Sequence, residues 1–325
     1  MLTWVTSSVA VLALLVGAAP KGVLADQPPK KTAAVSVGYV LVPVVVTDGK
    51  GRAIAGLREK DFTLVVEDRP VALDLFTASD NAPVSFTILL DGSGSMGLAG
   101  KMEGARAALE ALVSHARPDD DFSLHVFAEG AVRELVPFTS DGARLVRAAL
   151  TVRPWGKTAF FDALAKIPDR TLLGKNGSRA IVLLTDGIDN ASVLTRERLE
   201  ELLQGVDVPV YPIGLRTAPD AFGPGGPGEH DVNVELLKRI AFVTGGRVAL
   251  VGEPEKLAAA IREIEKDLRS QYLLGFTPTG AGPVKYRSIA LVIAGRIGTY
   301  RTRSGYRGTE PPWLESASKK KGKKT

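Results

Sequence analysis

The chain has 325 residues, 45% hydrophobic and 24% charged, an ordinary globular composition that excludes a collagen-like, low-complexity or multi-span membrane protein. At this length, one domain of about 200 residues with a smaller companion is the natural division. The formal charge of +5 is carried by the last seven residues, KKKGKKT, which hold five lysines and no acid, so the body is balanced and no specific nucleic-acid partner is expected.

Residues 1–25 contain the apolar run VAVLALLVGAA, too short to span a bilayer comfortably but suited to the core of a signal peptide cleaved before Asp26. An uncleaved N-terminal anchor or an untargeted helix is the competing reading, because the residues ahead of the apolar run include no Lys or Arg. Export to the periplasm, cell envelope or exterior is the expectation, with no transmembrane helix beyond the leader. Cysteine is absent, so there is no lipidated anchor, no disulfide framework and no thiolate for zinc or catalysis. Residues 26–34 are polar and proline-containing, as a linker is. Residues 35–82 then read as an N-terminal β segment: VGYVLVPVVVTD, a turn at 48–51, and DFTLVVEDRPVALDLFT are β-branched runs broken by turn residues.

Residues 83–270 alternate buried strands with amphipathic helices. SFTILLD precedes a helix near 99–116, followed by DFSLHVFAE and RAIVLLTD. A helix near 196–203, VPVYPIGL, a helix near 234–243, GGRVALV and a long helix over 254–269 complete the run. Strands apolar at every position, such as TILL and IVLL, need a sheet covered on both faces. The pattern therefore predicts an α/β fold with a doubly wound, mostly parallel sheet and right-handed crossovers. The Gly/Pro-rich stretch 217–231 is read as a mobile loop. Over residues 271–308 the strands YLLGFTP, KYRSIALVIAG and TYRTRSGYRG return without crossover helices, so they should pair antiparallel with 35–82 and make the α/β domain an insertion within one small antiparallel β unit. Residues 309–325 form a basic tail, expected to be disordered.

Asp91-Gly-Ser93-Gly-Ser95 stands at the carboxyl end of the first α/β strand, where open parallel sheets bind ligands. One carboxylate and two hydroxyls on a turn are hard oxygen donors, the type suited to Mg²⁺. Thr158 in GKTAFFDAL and Asp186 in LLTDG also fall in loops at strand ends and can complete the ring.

These residues resemble the von Willebrand A family, whose adhesion site combines a DxSxS loop, a threonine loop and a strand-TDG loop. The resemblance covers about 84–269 and matches all five positions: Asp91, Ser93, Ser95, Thr158 and Asp186. It implies a Mg²⁺ site, with Mn²⁺ as substitute, in which the hydroxyls ligate directly, the aspartates act through water, and a partner carboxylate takes the sixth position. The implied function is non-enzymatic recognition of an acidic group on a protein or matrix partner; a structural envelope scaffold with no metal-dependent ligand is the alternative. A shift of the last helix on ligand engagement is also implied. The flanking strands resemble a bacterial group related to this family. Lys157 departs from the pattern, since a glycine more often precedes the threonine.

Competing readings of the same residues are weaker. Gly92, Gly94 and Gly97 fit G-x-G-x-x-G, but Asp91 would repel a pyrophosphate. Gly156-Lys157-Thr158 imitates the end of a P-loop, yet residue 151 is Thr where Gly is required. His115 ends a helix, His125 lies in a strand and His230 in the predicted loop, none with a visible catalytic partner. Asp189 and Asn190 either add a second ion or terminate the strand.

Overall fold

The computed structural model describes residues 39–78, 82–98, 100–215, 227–251, 254–278, 284–296 and 298–308; the leader, the linker and the lysine tail lie outside the described residues. Eight short strands make two antiparallel sheets. β1 (Val40–Thr47), β2 (Phe62–Val66), β3 (Arg69–Val71) and β4 (Leu75–Ala78) come from the amino-terminal segment. β11 (Tyr272–Phe276), β12 (Lys285–Ile293), β13 (Thr299–Thr302) and β14 (Gly305–Gly308) come from the carboxyl-terminal one. Their orders are β13-β1-β11-β4 and β14-β12-β2-β3. Every sheet thus mixes both ends of the chain, with Val42 opposite Leu274 and Leu64 opposite Leu291. Alternation along β12 points Ile289 and Leu291 inward, to a shared core with Val42, Val44, Leu64, Tyr272 and Phe276. TYRTRSGYRG, read as one strand, is two: the chain changes sheet at Arg303, which is buried at that corner.

Between these segments lies a six-stranded sheet of order β10-β9-β8-β5-β6-β7, built from β5 (Val84–Asp91), β6 (Asp121–Ala128), β7 (Ala131–Thr139), β8 (Ser178–Thr185), β9 (Val210–Leu215) and β10 (Ala249–Val251). All neighbours are parallel except β6 and β7. Every residue of β5 is buried, as a strand covered on both faces requires. Phe86, Ile88 and Leu90 face α1 (Lys101–Ser114), α2 (Gly142–Leu150) and α7 (Pro254–Arg269). Leu89 faces the opposite layer of α3 (Phe160–Leu164), α4 (Ile167–Thr171), α5 (Arg196–Leu203) and α6 (Pro227–Thr244). This is the doubly wound sheet set into an antiparallel β unit that the pattern predicts. Each fully buried Leu, Ile or Phe in the two layers contributes roughly 1.5–3 kcal/mol. Among the described residues no helix is long and apolar enough to cross a membrane.

Several elements depart from expectation, among them α2, α3 and α4, which form where the sequence pattern assigns no helix. Residues 131–139, to which the sequence pattern assigns nothing, form the antiparallel edge strand β7 after a tight turn in which Glu129 and Gly130 both adopt positive φ. α6 begins at Pro227, so residues 227–231 of the predicted loop, His230 included, are helical. A proline fits the first turn of a helix, where its missing N–H costs nothing.

The β sandwich seats on the amino-terminal ends of the parallel strands. Arg269, at the end of α7, clamps Asp120 through Nη1 at 3.1 Å and Nη2 at 2.7 Å, while Asp120 also accepts the backbone N–H of Val84 at the start of β5. Arg303 pairs with Asp207 and donates to the carbonyls of Leu41 and Gln204. Gly245 and Gly246 let α6 pass close by: a side chain at 246 would collide with the Val210 carbonyl, and Gly245, at φ +84°, lies against the backbone of Thr302 and Arg303. At the opposite, carboxyl ends of the strands, the strand order reverses around β5, the place where open parallel sheets bind ligands.

Candidate metal centre

β5 and β8 run parallel in register, Leu90 beside Leu184, so their ends deliver Asp91 and the Thr185-Asp186 pair side by side. Asp91 is fully buried and locked from both sides: Oδ1 accepts the Ser93 N–H at 2.9 Å, and Oδ2 accepts the Thr185 hydroxyl at 2.7 Å. Thr185 Oγ1 in turn accepts Gly187 N–H at 3.0 Å. Burial is the largest influence on Asp91 and pushes its pKa up to about 6; the nearby Asp186 carboxylate pushes the same way, while hydrogen bonds from Ser93 and Thr185 oppose it.

After Asp91 the chain turns through a short 3-10 segment, Gly94–Gly97, whose Met96 is buried. This places the hydroxyls of Ser93 and Ser95 3.2 Å apart. Adjacent ligands of an octahedral Mg²⁺ with bonds of about 2.1 Å stand about 3 Å apart, so the pair matches two neighbouring coordination positions.

Thr158 belongs to a second loop that is tied to the first by two backbone hydrogen bonds, Gly94 N–H to Gly156 O and Trp155 N–H to Gly92 O, both 2.9 Å. Gly156 has a φ of +81°, and a Cβ there would strike the Glu129 side chain, so the turn demands glycine. The Thr158 side chain is buried. Its N–H donates to Asn190 Oδ1 at 2.8 Å, and its carbonyl accepts from Asn190 and Ala191 N–H at 3.0 Å each. Asp186 and Asn190 share the third loop. Asp91, Ser93, Ser95, Thr158 and Asp186 therefore all stand on one interlinked set of loops at one edge of the sheet.

The geometry also gives residues roles that sequence reasoning missed. Thr185 holds Asp91, Asn190 holds the threonine loop, and Asp189 Oδ2 accepts Phe161 N–H at 3.0 Å and the Ser192 hydroxyl at 2.6 Å. Asp189 and Asn190 thus brace the loops beside β8, whose last residue is Thr185. Lys101 donates to Asp186 Oδ2 at 2.8 Å, with the two side chains only 11% and 2% exposed. No spacing signal in the sequence reveals Thr185 or Asn190 in these roles, because both depend on which side chains face each other across loops. Lys157, the departure from the family pattern, is exposed; its backbone N–H donates to Glu129 Oε1 at 2.7 Å.

Among the described residues no group of three or more His, Cys, Asp or Glu is placed to hold a metal. A cation held by these five residues would lean on hydroxyls, with carboxylates from Asp91 and Asp186. That donor set fits Mg²⁺ or Mn²⁺ and leaves the ion electron-poor. The two described imidazoles lie elsewhere: His115 Nδ1 is 2.8 Å from the Ala111 carbonyl at the end of α1, and His125 is buried in β6.

Residues 86–188 match the family model described as von Willebrand factor type A domain. No curated protein matches the chain. Similar solved structures include an aerotolerance-related membrane protein from Bacteroides fragilis, 23% identical over 57% of this chain and 98% of that one with a TM-score of 0.46. Another is a von Willebrand factor type A protein from Catenulispora acidiphila, 14% identical over 85% of this chain and 74% of that one with a TM-score of 0.47. The von Willebrand domain of the type V pili tip protein Mfa5 from Porphyromonas gingivalis is 13% identical over 57% of this chain and 94% of that one, at 0.44.

Proposed function

We propose that this protein, whose residues 86–188 match the von Willebrand factor type A domain model, is a non-enzymatic binding module that recognises an acidic group of a protein or matrix partner through Mg²⁺, outside the cytoplasm. The observation that carries the reading is the convergence of three loops. Two serine hydroxyls at ligand spacing sit beside a doubly locked Asp91, and the Thr158 loop is laced to both neighbours. Ser93, Ser95 and Thr158 would hold the ion directly, and Asp91 and Asp186 would act through water. The ion, when bound, supplies an electrophilic centre for a carboxylate. The protein's own work is to keep the hydroxyls in place and to limit direct carboxylate ligation, so that the ion retains affinity for an incoming acid.

A second reading, a structural envelope protein without a metal-dependent ligand, draws on one observation: Lys101 already neutralises Asp186 within the chain. Immobilised full-length protein, exposed to an envelope or matrix extract in Mg²⁺ and then washed with EDTA, separates the two. The adhesion reading predicts partners that elute on chelation and never bind the Asp91→Ala or Ser93→Ala variants. Partners that stay bound through chelation, and bind both variants equally, would establish the scaffold reading instead.

A further inference from the structure

Lys101 opens α1, and backbone hydrogen bonds tie its start to the first loop. Leu98 N–H donates to Ser95 O at 3.2 Å, Lys101 N–H donates to Leu98 O at 3.2 Å, and Gly100 turns the chain at φ +75°. From there Nζ crosses from the first loop to the third and reaches Asp186 Oδ2 at 2.8 Å. Surface pairs elsewhere in the protein, such as Arg198 with Glu201, are about half exposed and strongly screened. The Lys101–Asp186 pair, at 11% and 2% exposure, is shielded from water, where a carboxylate needs a compensating positive charge and charges act on each other strongly.

A divalent ion held by Ser93 and Ser95 beside Asp186 would bring two further positive charges close to that ammonium. Lysine is a compact charge on a flexible four-carbon stem, and at this site its side chain keeps 11% exposure to solvent. Resting on the metal reading above, we propose that Lys101 is a built-in counter-ion: it holds Asp186 in the metal-free protein and is expelled when a divalent cation enters. The lysine thereby weakens metal binding and makes occupancy follow the surrounding cation concentration. It acts as a competitor for Asp186 rather than as a ligand.

Titration of the full chain with MgCl₂ by calorimetry, in wild type, Lys101→Met and Lys101→Arg, tests this. The expected result is at least tenfold tighter Mg²⁺ binding by the Met variant and none of that gain in the Arg variant. Without metal the Met variant should melt below wild type, because Asp186 is left unpaired, and saturating Mg²⁺ should restore it. Equal or weaker binding by the Met variant would overturn the proposal and leave Lys101 as a positioning residue for Asp186. Should the Met variant fail to fold, pulse labelling of lysines in the wild type gives the answer: reactivity at Lys101 rises several-fold on adding MgCl₂ if the ammonium is expelled, and an unchanged value refutes expulsion. Absence of saturable Mg²⁺ binding in every variant would instead bring down the metal reading itself, a result distinct from equal binding by wild type and the Met variant.

Discussion

Asp91 carries a cost that can be measured. An unfolded aspartate titrates near 3.8, whereas the buried Asp91 titrates at about 6. Between these values the folded protein binds more protons than the unfolded chain, so stability falls as pH rises through the window and levels off above it. A gap of about two units is worth roughly 3 kcal/mol at neutral pH in the absence of metal. Asp91→Asn keeps an acceptor for the Ser93 N–H and removes the charge. In urea denaturation with EDTA, the Asn variant should be more stable than wild type by roughly 2–3 kcal/mol at about pH 7.5, and the two should converge at about pH 4. Taking the difference between the proteins cancels every other titrating group. A variant less stable than wild type at neutral pH, with parallel pH curves, would mean that the Asp91 charge is already compensated in the fold and would refute this reasoning.

Arg269→Ala leaves the fully buried Asp120 without its guanidinium and should cost about 3–5 kcal/mol in urea denaturation, without altering Mg²⁺ affinity, since the pair lies at the opposite end of the sheet. A loss below about 1 kcal/mol would place that pair among weak surface contacts. Gly246→Ala drives a methyl group into the Val210 carbonyl and should abolish soluble expression or lower the melting temperature markedly; normal behaviour would show that α6 and β9 are not so close. Burial holds the pKa of His125 down at about 4, so its neutral form contributes stability above the unfolded value of 6.5 that is lost as pH falls toward 4. Its ring resonances should therefore stay unshifted through pH 6 to 5 in an NMR titration. A midpoint near 6.5 would contradict the burial.

Much of the fold was legible because the period of burial is written in the residues. VSFTILLD and RAIVLLT are apolar on both faces and read as central strands, and the amphipathic stretch 254–269 matches α7 at both ends. β7 was not legible: AVRELVPFT has one buried residue in nine, because an edge strand is covered on one side only, and its polar alternation resembles a loop. β13 and β14 read as one strand because the kink between them is set by Arg303 reaching Asp207 and Leu41, which are remote in sequence. Within the candidate site the oxygen donors announced themselves by type and by position at strand ends. Their supports did not. Thr185, Asn190 and Lys101 are ordinary strand, turn and helix-start residues until the sheet sets three loops side by side.

The most direct measurement of the central claim is anomalous diffraction from crystals of the full chain soaked in MnCl₂. A single Mn²⁺ peak is expected at about 2.2 Å from the hydroxyl oxygens of Ser93, Ser95 and Thr158, with water between the ion and both Asp91 and Asp186. No peak at millimolar Mn²⁺, or a peak that leaves the Thr158 hydroxyl out of reach, would contradict a cation shared by the three loops.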